Sequence, residues 1–117
     1  MTTVLLVEDE FLIRAVVVDA LDGFNIECIE APSGQKALEI IDSDVPLSVI
    51  IVDIGLPDMS GERVIEAALK RRPTVPIIHC SGAEPAMPIS NPQVHVVAKP
   101  FNAIDLAKLV VSLANRG

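Results

Sequence analysis

The chain has 117 residues, half of them hydrophobic, and a formal net charge of −7. That length suits one domain with a real core, and the acidic balance argues against nucleic acid as a direct partner, because phosphate binding needs clustered Lys and Arg. The N-terminus lacks a charged-then-apolar signal segment and no apolar run approaches the ~20 residues needed to span a bilayer, so no membrane association is expected.

Val4 to Val7 form a short apolar run ended by Glu8-Asp9-Glu10, so a first strand delivers acids at its carboxyl end. A helix follows from about Glu10 to Asp22, with Ile13, Val17, Ala20 and Leu21 as its core stripe and Gly23 as its stop. Phe11, Leu12, Ala15, Val16 and Val18 carry apolar character most of the way round this helix. Such an excess fits either packing against a neighbouring helix or a partner-docking surface. Asn25 to Glu30 reads as a second strand, and Ser33 is placed to cap a helix whose inward face is Ala37, Leu38 and Ile41.

The stretch from Val49 to Gly61 reads VIIVDIGLPDMSG. Four consecutive β-branched residues, Val49 to Val52, suit a strand buried on both faces in the middle of a parallel sheet. The run stops at Asp53, and Gly55, Pro57 and Gly61 punctuate a turn. Asp53 either merely closes the strand or is a carboxylate set where open α/β sheets place their ligand sites. A third helix runs to about Arg72, burying Val64, Ile65, Ala68 and Leu69, and Pro73 forbids its continuation. Its end, Lys70-Arg71-Arg72, is the nearest thing to a basic cluster and simply complements a helix C-terminus.

Val75 to Cys80 is a fourth strand ending at Ser81-Gly82. Residues 83–92 hold three prolines and no helical apolar stripe. Val94 to Ala98 is a fifth strand, followed by Lys99-Pro100-Phe101. Asn102, with Asp105 three residues on, resembles a capping box for a final helix that buries Leu106, Leu109, Val110 and Leu113. Cys28 and Cys80 lie in apolar strand-like runs without CxxC spacing and read as buried, reduced thiols of a cytoplasmic protein. His79 and His95 also lie in strand patterns without metal-ligand spacing and read as structural.

Five alternations of strand and helix patterns define a parallel sheet with helices on both faces, in one domain over residues 1–117. Parallel strands share one carboxyl edge, and four of the five ends carry polar groups: Glu8 and Asp9, Asp53, Ser81, and Lys99. Three carboxylates brought together repel and raise one another's pKa unless a cation sits among them. An all-oxygen cluster suits Mg²⁺, which keeps several waters and accepts a phosphate oxygen. Lys99 is a point charge able to pair with a carboxylate or a phosphoryl oxygen, and Ser81 is a hydroxyl able to donate to that oxygen. These parts meet the electrostatic needs of phosphoryl transfer.

The acid pair Glu8-Asp9, the DIGLPDMSG stretch from Asp53 to Gly61, Ser81, and the Lys99-Pro100 pair together resemble the response-regulator receiver domains of two-component signalling, over essentially the whole chain. The resemblance implies a flavodoxin-like doubly wound fold with strand order 2-1-3-4-5 and its site at the switch point. It implies Asp53 as phosphate acceptor, and Mg²⁺ held by Glu8, Asp9, Asp53 and the backbone carbonyl of Gly55. Ser81 becomes the switch hydroxyl and Lys99 the phosphate-pairing lysine. The implied donor is a sensor histidine kinase or a histidine phosphotransfer protein, with output through protein contacts and no output domain. The chain then catalyses only its own phosphorylation and dephosphorylation. Docking on the first helix would engage a phosphotransfer helix or a second copy of the chain.

Three positions depart from the family pattern. Glu8 stands where Asp is more usual, and Val96 takes the place of the aromatic switch residue. The segment between Ser81 and Lys99 is short and proline-rich, so the fourth helix is expected to be short or irregular, and the readout to be ordering or displacement of that loop. Two rivals are a pseudo-receiver binding module, opposed by the intact site residues, and a metal-dependent phosphohydrolase. The latter usually has a second Asp where Gly55 stands, and a capping insertion that is missing here.

Overall fold

Alternate residues of each strand point to opposite faces of a sheet, and here both faces are apolar. The computed structural model describes residues 2–53, 55–82 and 91–115. In chain order the elements are β1 (Thr3–Val7), α1 (Phe11–Asp22), β2 (Glu27–Ala31), α2 (Gly34–Asp42), β3 (Val49–Asp53), α3 (Gly61–Arg71), β4 (Ile77–Ser81), β5 (Val94–Ala98) and α4 (Ala103–Ala114). The five strands pair in parallel in the order β2-β1-β3-β4-β5, as expected.

Val4, Leu6, Val49, Ile51, Ile78 and Cys80 face one layer, where Val17 and Leu21 of α1 and Leu106, Val110 and Leu113 of α4 cover them. Leu5, Val7, Ile50, Val52 and Ile77 face the other, under Ala37 and Ile41 of α2 and Val64, Ile65 and Ala68 of α3. Every residue of β3 and β4 is buried, which is why their sequences are continuous apolar runs rather than alternating ones. β2 and β5 are the sheet edges and are more open, with Val96 half exposed.

Two starts differ from expectation. β2 begins at Glu27 rather than Asn25, because Asn25 adopts φ 58°, a left-handed conformation that turns the chain before the strand. Gly23, expected to stop α1, does cap it, but with right-handed backbone at φ −60°. Asn tolerates the left-handed region better than most side chains, so the reversal falls two residues later. β4 begins at Ile77 rather than Val75, whose N–H instead closes a turn onto the Arg72 carbonyl at 3.1 Å.

The caps follow the polar residues. Ser33 accepts from the Lys36 N–H, Ser60 from the Arg63 N–H, and Asn102 from the N–H groups of Ile104 and Asp105. Phe11, Leu12 and Val16 of α1 remain 70%, 75% and 58% exposed, so no neighbouring helix among the described residues covers them. The helix expected between β4 and β5, with its loop readout, falls mainly on residues 83–90, outside the described residues.

Candidate functional site

The register of the sheet assembles the site. Val7 pairs with Val52, so Glu8 and Asp53 leave adjacent strands at the same level. Asp53 pairs with Cys80, and Ser81 with Ala98, which brings Ser81 and Lys99 to the same edge. Two hydrogen bonds extend the sheet beyond the strands: the Glu8 N–H donates to the Ala31 carbonyl at 3.1 Å, and the Lys99 N–H to the Ser81 carbonyl at 2.8 Å. All five side chains expected to act together lie at this edge. Glu8, Asp53 and Ser81 are buried there, at 3%, 5% and 6% exposure.

Glu8, Asp9 and Asp53 each bring a carboxylate oxygen to within 4.8 Å of the others. Lys99 Nζ hydrogen-bonds Asp53 Oδ1 and lies 3.9 Å from Glu8 Oε1. The lysine stem crosses Gly82, where an added Cβ would come within 3.8 Å of Lys99 Cδ. Gly55 lies beside the central carboxylate: a Cβ on it would stand 3.7 Å from Asp53 Oδ2.

The titration of the site follows from burial and charge. Loss of water pushes the Glu8 carboxyl up to about 7, helped by the Asp53 charge and a hydrogen bond shared with Asp9. The Glu10 N–H, which donates to Glu8 Oε2 at 3.2 Å, and the Lys99 charge oppose that rise. Burial pulls Lys99 down, but its hydrogen bond to Asp53 and the charges of Asp53 and Glu8 outweigh it, so its pKa is raised. Burial drives the Cys80 thiol up to about 12, as it does that of Cys28. Neither cysteine is a ready nucleophile, and both are free, Cys80 buried and Cys28 only partly so.

Two residues that build the site escaped the sequence reading. Arg14 reaches back from the first turn of α1, donating from Nη1 to the carbonyls of Glu8 at 3.0 Å and Asp9 at 3.2 Å, and from Nε to Glu30 Oε1 at 3.2 Å. It thereby fixes the loop that carries two of the acids. Asp58, in the β3–α3 loop, accepts from two N–H groups of α2. The only sequence signal for Arg14 is a cation soon after an acidic run, which most helix surfaces share. His79 is 1% exposed, with no hydrogen-bond partner for either ring nitrogen among the described residues. Burial lowers its pKa against the opposing charges of Glu62 and Asp53, and it is not one of the three groups whose ligand atoms cluster at the sheet edge.

A flavodoxin-like sheet with an acidic pocket and a lysine at its carboxyl edge defines a class of signalling module. The chain belongs to the response regulator receiver domain family, whose profile matches residues 4–111. It is 33% identical to the sensor kinase CckA of Brucella abortus (strain 2308), in an alignment covering 97% of this chain and 13% of that protein. It is also 33% identical to the positive alginate biosynthesis regulatory protein of Pseudomonas aeruginosa, over 90% of this chain and 44% of that one. The chain thus spans less than half the length of either relative. Among solved structures, a response regulator receiver protein from Sinorhizobium medicae WSM419 superposes with a TM-score of 0.87 at 26% identity, covering 97% of this chain and 94% of its own. The response regulator TrrA from Thermotoga maritima, solved in complex with Mg²⁺-BeF, gives a TM-score of 0.83 at 27% identity, covering 97% and 99%. No helix among the described residues is long and apolar enough to cross a membrane.

The raised Glu8 carboxyl makes stability depend on pH. Its folded value of about 7 lies above its ordinary value of 4.5, so the folded state holds the proton more tightly. The resulting stabilisation is full below the ordinary value and is lost as pH rises through about 7. The thermal midpoint of metal-free protein should therefore fall by several degrees from about pH 5 to about pH 8, and Glu8→Gln should flatten that fall. A wild-type and variant that lose stability in parallel would contradict the assignment.

Proposed function

We propose that residues 1–117 act as one receiver unit that accepts a phosphoryl group on Asp53 from a phosphohistidine of a sensor histidine kinase or a histidine phosphotransfer protein. The observation that carries this reading is the convergence of Glu8, Asp9 and Asp53 within 4.8 Å, with Lys99 held on Asp53. In the transfer an Asp53 carboxylate oxygen bonds to phosphorus as the phosphorus–nitrogen bond to imidazole breaks. The leaving imidazole keeps that electron pair, and the product on this chain is an acyl phosphate.

The donor set fits a hard divalent cation, being all oxygen, part buried and short of positive charge. Glu8, Asp9 and Asp53, with the Gly55 carbonyl, would hold Mg²⁺, which when bound neutralises charge gathering on the transferring phosphoryl oxygens. Lys99 starts on Asp53 and moves its ion pair to the phosphoryl group, which adds about −1.5 to −2 charge at neutral pH. Ser81, at the end of β4, donates its hydroxyl to a phosphoryl oxygen. The chain acts on its own acyl phosphate and signals from the cytoplasm through protein contacts. The TrrA structure, bound to Mg²⁺-BeF, supports this reading by likeness.

The donor's approach is suggested by α1. Leu12 and Val16 stand exposed beside an apolar groove of about 570 Å³ that runs to Pro100, Phe101 and the stem of Lys99. A phosphotransfer helix seated there has its histidine within reach of the acid site, and a second copy of the chain is the competing occupant.

Two outcomes test this function. Incubation with acetyl phosphate and Mg²⁺, followed by mass spectrometry, should place one phosphoryl group on Asp53 and none in Asp53→Asn or in excess chelator. Unchanged labelling of that variant would refute the acceptor. Changing Leu12 and Val16 together to Ser should slow transfer from a phosphorylated kinase about tenfold or more while sparing transfer from acetyl phosphate, since a few central residues carry most of an interface's binding energy. Equal slowing of both would remove α1 as the docking face.

A further inference from the structure

Asp58 stands in the β3–α3 loop, yet its carboxylate serves another element. Oδ1 accepts from the Gly34 N–H at 2.9 Å and Oδ2 from the Gln35 N–H at 2.9 Å. These are the first N–H groups of α2, which no carbonyl within the helix reaches. The next, from Lys36, goes to Ser33 Oγ at 3.2 Å. One helix end is thus capped twice, once from its own preceding loop and once from the loop that leaves Asp53.

The neighbouring contact is just as close. A Cβ on Gly34 would lie 2.3 Å from Cγ of Met59, so helix and loop meet with no room for a side chain between them. Leu56 and Met59 pack against the core under α2 and α3. Hydrogen bonds from Gln35 and Gly34 hold the Asp58 carboxyl below the usual carboxylate range, so it is ionised at neutral pH and its charge faces the positive end of the α2 dipole.

The loop between Asp53 and Gly61 is therefore tied at three points. The buried strand β3 holds one end, the Ser60 cap on α3 the other, and Asp58 the middle. Gly55 lies between the first tie and the middle one, beside Asp53, and has no side chain to anchor it. Its carbonyl keeps a fixed direction only while the loop does.

We propose that Asp58 is a positioning residue for the acid site: by clamping the β3–α3 loop to the N-terminus of α2, it fixes the backbone of Gly55 beside Asp53 and thereby sets the affinity for a divalent cation. This rests on the reading of Glu8, Asp9, Asp53 and Gly55 as the Mg²⁺ ligands.

The double cap supplies its own control. Ser33→Ala removes a cap from the same helix without touching the β3–α3 loop, whereas Asp58→Ala cuts the clamp. Titration with Mg²⁺ alone, by calorimetry at a temperature where circular dichroism shows every variant folded, should give about tenfold weaker binding for Asp58→Ala. Asp58→Asn, which keeps a single carbonyl acceptor, should weaken it about threefold, and Ser33→Ala by less than about twofold. In metal-free protein, the amides of Gly55, Leu56 and Met59 should exchange about tenfold faster in Asp58→Ala and at the wild-type rate in Ser33→Ala. Equal losses of Mg²⁺ affinity in the Ser33 and Asp58 variants would overturn the proposal, as would unchanged loop exchange in Asp58→Ala. A wild-type chain with no Mg²⁺ affinity would instead refute the metal reading of the site, and the exchange comparison would still decide whether Asp58 clamps the loop.

Discussion

Glu8, Asp9 and Asp53 bring carboxylate oxygens within 4.8 Å of one another at the sheet edge, where Glu8 and Asp53 are almost stripped of water. Two full charges at about 5 Å repel by roughly 3 kcal/mol at an effective dielectric constant near 20. Among the described residues Lys99 is the cation that answers them, hydrogen-bonded to Asp53 and 3.9 Å from Glu8. One positive charge does not balance three negative ones. Loss of water, with the Asp53 charge adding to it, leaves Glu8 holding its proton up to about 7. A divalent cation held by these carboxylates would offset their charge, and in the proposed reaction a phosphoryl group would call Lys99 away from Asp53.

The rest of the fold exists to hold these charges where water would not let them gather. β1 and β3 are adjacent in the sheet, so their ends sit side by side, and β4 and β5 bring Ser81 and Lys99 to the same edge. Two apolar layers pin the strands, with α1 and α4 on one face and α2 and α3 on the other. Loops do the fine placement. Arg14 ties down the carbonyls of Glu8 and Asp9, and the β3–α3 loop is fastened to α2 through Asp58. Rigid strands with tied loops are what a preorganised charge site requires, because a side chain displaced by an ångström loses much of its effect.

Much of this was legible in the sequence because it rests on local patterns. The β-branched run Val49 to Val52 suits a strand buried on both faces, and β3 is buried throughout. The acids after β1 and β3 and the lysine after β5 converge because parallel strands share an edge, and Lys99 does pair with Asp53. Contacts between residues far apart in the chain left no such trace. Asp58 bonds to Gly34, 24 positions away, and within DIGLPDMSG it reads as one more turn residue. Arg14 looks like any charged residue on a helix, since its targets are backbone carbonyls of the preceding loop. The left-handed turn at Asn25 was hidden by the stronger stop signal of Gly23. Whether a neighbouring helix covers the apolar excess on α1 was not legible in the sequence; among the described residues none does, and Leu12 is 75% exposed.

Carbon-detected NMR titration of the Glu8 side-chain carboxyl, with and without saturating Mg²⁺, tests the electrostatic account most directly. The account predicts a metal-free midpoint near 7, and a shift down into the ordinary carboxylate range when Mg²⁺ is bound. A Glu8 that titrates in the ordinary range without metal, or whose midpoint does not respond to Mg²⁺, would contradict it.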